Sequence, residues 1–163
     1  MTTVYIGLGG NIANEFGTPI QHLQNAIKFF ESSESFERVI VSSFYSSKAY
    51  GVTDQPDFFN AVLQADTHLT PLELLDCCQN LENMAGRVRL RHWGERCLDV
   101  DILLYGDEVI DHERLTVPHK EILLRNFVLV PLLELNSELV INEHKIADLP
   151  LVQDMTGLVK LGL

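Results

Sequence analysis

Arg87-Val88-Arg89-Leu90-Arg91-His92-Trp93-Gly94-Glu95-Arg96-Cys97-Leu98-Asp99-Val100-Asp101-Ile102-Leu103-Leu104 is the stretch from which the rest of the chain can be read. From Cys97 onward the residues alternate with the period of a β-strand. Leu98, Val100, Ile102 and Leu104 are expected on one face, and Asp99 and Asp101 on the other. Two ionised carboxylates about 7 Å apart on one strand face repel each other. A hard cation with oxygen ligands removes that cost, and Mg²⁺ commonly takes one or two carboxylates plus substrate phosphates. The arginines just upstream supply permanently charged, planar donors suited to phosphate oxygens. Together they point to a site for a metal-bound polyphosphate.

Each half of this pattern has a plainer explanation. An Asp-x-Asp on a strand is commonly the wet face of a half-exposed sheet. Clustered arginines are commonly a solvated surface. The charge balance favours the joint reading: 12 basic residues stand against 23 acidic ones, for a net charge of −11. Arg87, Arg89, Arg91 and Arg96 are a third of all the Lys and Arg. A compact basic cluster on an acidic body suits a small anion. Nucleic acid, which needs a broad basic stripe, is not expected as a partner.

At 163 residues and 46% hydrophobic, the chain is expected to form a single domain over 1–163, with one core large enough to need no staples. Cys77, Cys78 and Cys97 form no Cys-x-x-Cys, which fits reduced thiols and a cytoplasmic location. No apolar run reaches membrane-spanning length, and Met1–Ile6 does not look like a signal peptide.

Working outward, Thr3–Leu8 reads as a strand closed by a Gly9-Gly10-Asn11 turn. Thr18-Pro19 starts a helix with Ile20, Leu23, Ile27 and Phe30 on one stripe. Val39–Tyr45 is a β-branched and aromatic strand, and Ser46–Asp57 a long loop. Phe58–Thr67 alternates: Phe59, Ala61, Leu63 and Ala65 against Phe58, Asn60, Val62 and Gln64. Thr70-Pro71-Leu72-Glu73 is a capping box opening a helix that Gly86 ends. A short strand is expected at Val109-Ile110, and Phe127–Leu135 is an apolar run interrupted by Pro131. The order β-α-β-loop-β-α-β gives an α+β domain with helices packed on an antiparallel or mixed sheet.

Common nucleotide motifs are missing. Gly7-Leu8-Gly9-Gly10-Asn11-Ile12 has Ile12 at the third glycine position of a dinucleotide fingerprint. There is no P-loop, no His-x-x-x-His and no nucleophile elbow. Side chains and metal must therefore do what a glycine loop does elsewhere.

His92-x-Gly94-Glu95-Arg96-x-x-Asp99-Val100-Asp101-Ile102-Leu103 resembles the signature of the 6-hydroxymethyl-7,8-dihydropterin pyrophosphokinase family. Similar family-like stretches are Tyr5–Asn11, Val41–Tyr45, Asp54–Ala61, Glu113–His119 and Arg125-x-Phe127, so the likeness runs from about residue 3 to Leu139. It implies a ferredoxin-like βαββαβ core with additional strands and helices. It also implies transfer of pyrophosphate from ATP to the pterin hydroxymethyl oxygen, with release of AMP, in folate synthesis.

By the same resemblance, Asp99 and Asp101 would hold two Mg²⁺ ions, and Arg87 and Arg96 would pair with the reacting phosphates. Gln79, Glu82, Arg89, Trp93, Arg114, Thr116, His119 and Arg125 would contact ATP, with 86–93 as a lid. Ser47, Tyr50, Phe58, Asn60, Trp93 and Phe127 would line the pterin slot. ATP and a reduced hydroxymethyl pterin are the implied partners, to a monomer with no membrane contact. For Phe58 and Phe127 core packing is the competing role, and for His119 an exposed loop.

The chain departs from the family at Ser46–Gly51, at Lys120, at Gly10 where serine is commoner, and in a shorter 89–93 loop. None of these removes a metal ligand or a principal arginine. The departures keep two other classes open: a pterin- or nucleotide-binding protein without efficient catalysis, and a ferredoxin-like interaction module.

Overall fold

The cleanest alternation in the sequence forms the middle of the sheet. In the computed structural model, which describes residues 1–48, 56–86 and 96–162, Phe58–Thr67 is a ten-residue strand flanked on both sides. The elements in order are β1 (Thr2–Gly10), α1 (Pro19–Ser32), β2 (Phe36–Val41), β3 (Tyr45–Ser47), β4 (Phe58–Thr67), α2 (Pro71–Met84) and β5 (Asp99–Tyr105). They continue with β6 (Ile110–His112), β7 (Leu115–Val117), α3 (Asn126–Leu135), β8 (Val140–Ile141), β9 (His144–Lys145) and β10 (Leu158–Lys160).

The main sheet runs β10-β3-β4-β1-β5, with β2 also paired to β4, and every pairing is antiparallel. The ferredoxin-like β1-α1-β2-β4-α2-β5 core is thus present, with β3 inserted as a second partner for β4. Both helix starts are capping boxes. The Thr18 and Thr70 hydroxyls accept the Gln21 and Glu73 amides, and those side chains accept the Thr18 and Thr70 amides in return.

Each face of the sheet carries its own core. Val4, Ile6, Leu8, Ala61, Leu63, Ala65, Val100 and Ile102 pack on one side with Leu23 and Phe30 of α1 and Leu74 and Cys78 of α2. On the other, Tyr5, Val62, Leu103 and Leu104 pack with Val128, Leu129 and Leu132 of α3, and with Ile141, Ile146 and Val152. The second layer covers only part of its face. The part left open is where Asp99 and Asp101 lie.

Four expectations are corrected. Leu104 does not share a face with Val100 and Ile102: a register shift against β1, between Tyr5 and Ile6, sends it to the α3 side and Tyr105 to the other. The strand placed at Val39–Tyr45 is two strands: the Ser42 amide still donates to the Val62 carbonyl, but the Ser42 hydroxyl accepts the Val62 amide at 2.9 Å and interrupts the regular ladder. The loop beginning at Ser46 is strand through Ser47. Gly9 and Gly10 do not turn the chain but continue β1, paired to Asn60 and Phe59.

Candidate active site

The site is built on a row of residues that share one sheet face. In β1, Gly7 and Gly9 point to the uncovered side. Across one ladder Gly9 faces Asn60 and Gly7 faces Val62; across the other Gly9 faces Asp99 and Gly7 faces Asp101. Two glycines therefore floor the space between an amide side chain and a carboxylate pair. Neighbouring strands are about 4.8 Å apart, so Asn60 and Asp99 stand roughly 10 Å from each other, a width suited to a flat bicyclic molecule.

The cleft above this floor has about 830 Å³ of atom-free space including its open mouth. Its walls include Ser47, Lys48, Phe58 and Asn60 at one end and Arg96, Asp99 and Asp101 at the other, with His119, Arg125 and Phe127 overhead. A second cleft adjoins it and shares Asp101 and His119, adding His112, Arg114, Thr116 and Lys120. Its mouth is the hairpin of β6 and β7, whose turn presents Arg114 and whose second strand presents Thr116.

Asn60 is 7% exposed, and its Nδ2 donates to the Ser47 hydroxyl at 2.7 Å. The Ser47 contact fixes the amide orientation, which leaves Oδ1 as the acceptor toward the cleft. At the far end, the Arg96 side chain lies over Asp99 with Nε 3.4 Å from Oδ1. That Nε is buried and makes no hydrogen bond. A buried donor in this state costs free energy until an acceptor arrives, and a phosphate oxygen beside it supplies one.

Arg96 is held by backbone. Its amide donates to Asn11 Oδ1 at 2.9 Å, and its carbonyl accepts the Asn11 amide at 2.8 Å and the Ile12 amide at 3.2 Å. Arg125 pairs with Glu121, and its guanidinium sits 5.5 Å from the centre of the Phe127 ring. His119 follows a cis Val117-Pro118 bond; its amide donates to Leu103 and its Nδ1 accepts the Glu121 amide at 3.2 Å. Burial, helped by the charges of Arg125 and Lys120 and opposed by Glu121, holds its imidazole below the ordinary value. His119 is therefore neutral at pH 7, with Nε2 as its N–H donor.

Most of the expected site residues come together. Ser47, Phe58, Asn60, Arg96, Asp99, Asp101, His119, Arg125 and Phe127 line the first cleft, and Arg114 and Thr116 the second. Gln79 adjoins them by accepting from Arg114 at 3.3 Å, beside an Arg114–Asp76 pair at 2.6 Å. Glu82 is buried and lines neither of the two clefts, and its carboxylate accepts the Val100 amide at 2.8 Å. It props the edge of β5 between the two aspartates. Arg87, Arg89, Trp93 and Tyr50, and nearly all of the 86–93 lid, lie outside the described residues.

Gly7, Gly9, Asn11, Lys48 and Asp76 were not among the expected residues. Only the glycines left a signal: their spacing of two puts both on one strand face. No group of three or more His, Cys, Asp or Glu suited to a metal occurs among the described residues.

An α+β sheet whose cleft gathers two carboxylates, an arginine and aromatic side chains is suited to phosphoryl transfer. The sequence model of 7,8-dihydro-6-hydroxymethylpterin-pyrophosphokinase (HPPK) matches residues 5–137, and the chain belongs to that family. Among its relatives, the 2-amino-4-hydroxy-6-hydroxymethyldihydropteridine pyrophosphokinase of Haemophilus influenzae is 50% identical over 160 residues, covering 98% of this chain and 92% of the relative. That of Pseudomonas aeruginosa is 45% identical over 136 residues, covering 83% and 82%.

Among solved structures, the wild-type HPPK-DHPS of Plasmodium falciparum superposes with a TM-score of 0.67 at 14% identity, over 93% of this chain and 40% of that one. A triple mutant of the same protein, with pteroate, gives 0.72 at 13% identity over 98% and 46%. The chain thus spans less than half of those longer chains, and the likeness to them is one of fold.

Proposed function

We propose that the two clefts together transfer pyrophosphate from ATP to the hydroxymethyl oxygen of 6-hydroxymethyl-7,8-dihydropterin, releasing AMP, in the folate pathway of the cytosol. The family and the names of its members support the reaction. The observation that carries the assignment of roles is the row Asn60–Gly9–Asp99 and its neighbour Val62–Gly7–Asp101.

In this reading the pterin lies on the glycine floor. Asn60 reads its edge, Phe58 and Phe127 enclose its rings, and its hydroxymethyl group extends toward Asp99. The nucleotide occupies the second cleft against Arg114 and Thr116, so its phosphates run past His119 and Asp101 into the first. The pterin oxygen attacks the β-phosphorus, the bond to the α–β bridging oxygen breaks, and AMP departs with that oxygen. The hydroxyl proton passes to a carboxylate of the pair or to solvent. Arg96 Nε meets an oxygen whose charge changes in the transition state, and neutral His119 donates from Nε2 without adding charge.

Asp99 and Asp101 are suited to divalent magnesium by their chemistry, hard oxygen donors two residues apart above a floor with no side chain to obstruct an ion. We assign both to Mg²⁺, two ions in all. Bound there, the metal supplies charge neutralisation for the polyphosphate and alignment of attacking and leaving oxygens.

The test is a product assay with ATP and the hydroxymethyl dihydropterin. AMP and the pterin diphosphate in equal amounts are expected. ADP as product, or no turnover despite ATP binding, overturns the reading.

A further inference from the structure

α3 carries Phe127 over the cleft, and it is tied to the opposite wall at both ends. At its C-terminal end, Glu134 accepts from the Tyr45 hydroxyl at 2.6 Å and from the Ser43 amide and hydroxyl at 2.8 and 3.0 Å. These ties reach β3, the strand that carries Ser47. At its N-terminal end the tie runs through an intermediate segment: Asn126 Nδ2 donates to the Asp154 carbonyl at 2.8 Å and to the Thr156 carbonyl at 3.2 Å.

The 154–160 segment then runs to the same strand. Asp154 Oδ1 accepts the Thr156 amide, and Gly157 turns with φ of +72°. The Gly157 carbonyl accepts the Lys48 amide at 3.2 Å, and β10 pairs with all three residues of β3, Leu158 opposite Ser47 and Lys160 opposite Tyr45. Asn126 itself sits between Arg125 and Phe127 but lines neither cleft. A loop of hydrogen bonds thus closes from the residue before Phe127 to the residue that orients Asn60.

We propose that Asn126 is a positioning residue for the pterin, and that the C-terminal segment is the strap through which it acts. By holding the first turn of α3 to 154–157, while β10 holds the same segment to β3, it fixes the separation between Phe127 above and Ser47, Phe58 and Asn60 below. The strap positions Phe127, which directly follows Asn126, while Arg125 on its other side also pairs with Glu121. Neither Asn126 nor 154–160 has to touch a substrate for this. The proposal rests on the reading of the first cleft as the pterin slot.

Asn126→Asp tests it, being nearly isosteric while losing both donors and setting a carboxylate against two carbonyls. Full-length enzyme is assayed for KM of each substrate and for kcat, with Asn126→Gln as the variant that keeps the donors and Phe127→Ala as the control for the slot. Loss of two hydrogen bonds is expected to raise the pterin KM roughly tenfold. The ATP KM and kcat should stay within about threefold, and Asn126→Gln should recover most of the loss. If Asn126→Asp does not fold, Asn126→Ser replaces it, with a rise of at least about threefold expected. An unchanged pterin KM in a folded variant, or equal rises for both substrates, overturns the strap. Phe127→Ala with unchanged pterin affinity instead overturns the slot.

Discussion

Asn11 and Arg96 grip each other reciprocally: the Arg96 amide donates to Asn11 Oδ1, and the Asn11 amide donates back to the Arg96 carbonyl. The same side chain reaches a third segment, since Asn11 Nδ2 donates to the Pro56 carbonyl at 2.9 Å. One short residue at the end of β1 therefore joins Arg96, on the approach to β5 and proposed to meet the reacting phosphates, to the approach to β4, which leads to the proposed pterin reader Asn60. Asn11→Ala removes one acceptor and one donor from a residue only 3% exposed. A loss of roughly ten- to a hundredfold in kcat/KM is expected for both substrates, since each hydrogen bond in such a site is worth about 1 kcal/mol or more. Steady-state kinetics with each substrate varied in turn checks it; a loss confined to one substrate argues against this coupling.

The glycine floor makes a sharper prediction because its two members differ. A Cβ at Gly9 would lie 3.1 Å from Asn60 Oδ1, closer than the amide oxygen tolerates without moving. A Cβ at Gly7 would meet the Leu103 side chain at ordinary contact distances, with Cδ2 at 3.4 Å, Cδ1 at 3.5 Å and Cγ at 3.6 Å. Gly9→Ala should displace the pterin reader and raise the pterin Kd about tenfold or more, with ATP affinity little changed. Gly7→Ala should be nearly silent in fold and mild in binding. Calorimetric titration of both variants with pterin separates them, and equal behaviour would show that the floor has no defined shape.

Local rules were enough wherever an element is stabilised by its own sequence. β4 and both capped helices were legible because alternation, threonine caps and prolines act within a few residues. The misplacements are non-local. Leu104 faces the other way because a bulge is set by pairing with β1, and the Ser42 break exists because a hydroxyl takes an amide on β4. β10 is three residues whose only reason to be a strand is β3. In the site, side chains that bring charge or aromatic surface were legible, through a specific family resemblance. Gly7 and Gly9 read in sequence only as an incomplete dinucleotide motif, because their contribution is the absence of atoms. Nothing in the sequence places the Glu82 carboxylate against the Val100 amide, because that contact is set by how α2 packs on β5.

The division of labour across the floor predicts a split in kinetics. Asp99→Ala and Asp101→Ala should each lower kcat at least about a hundredfold while leaving pterin affinity within a few-fold, because their proposed role is at the reacting phosphates. Asn60→Ala should do the reverse, weakening pterin binding and leaving turnover at saturation comparatively high. Binding of pterin and of ATP, each with and without Mg²⁺, measured beside kcat for the three variants, decides the assignment. Parallel losses in both quantities for all three would sink it.

The clamp between Tyr45 and Glu134 predicts how stability follows pH. Burial, then the hydrogen bond to Glu134 and its charge, raise the Tyr45 phenol well above its ordinary 10.0. For Glu134, burial pushes upward, but hydrogen bonds from Tyr45 and Ser43 and the charge of Lys160 outweigh it and bring the carboxyl below 4.5. A raised phenol contributes stability that is whole below pH 10 and is lost as the pH climbs past it, since the unfolded chain then sheds a proton that the folded one keeps. A lowered carboxyl contributes stability that is whole above pH 4.5 and is lost as the pH falls through the folded value. Tyr45→Phe removes the first effect and weakens the second. At neutral pH it should cost about 1 kcal/mol, because the carboxylate is partly in solvent and keeps both Ser43 bonds. The difference between parent and variant should hold steady from about pH 5 to 9 and shrink outside that window on both sides. Urea unfolding across pH 3 to 11 measures it, and a difference that grows at alkaline pH would show that the phenol is not held protonated by Glu134.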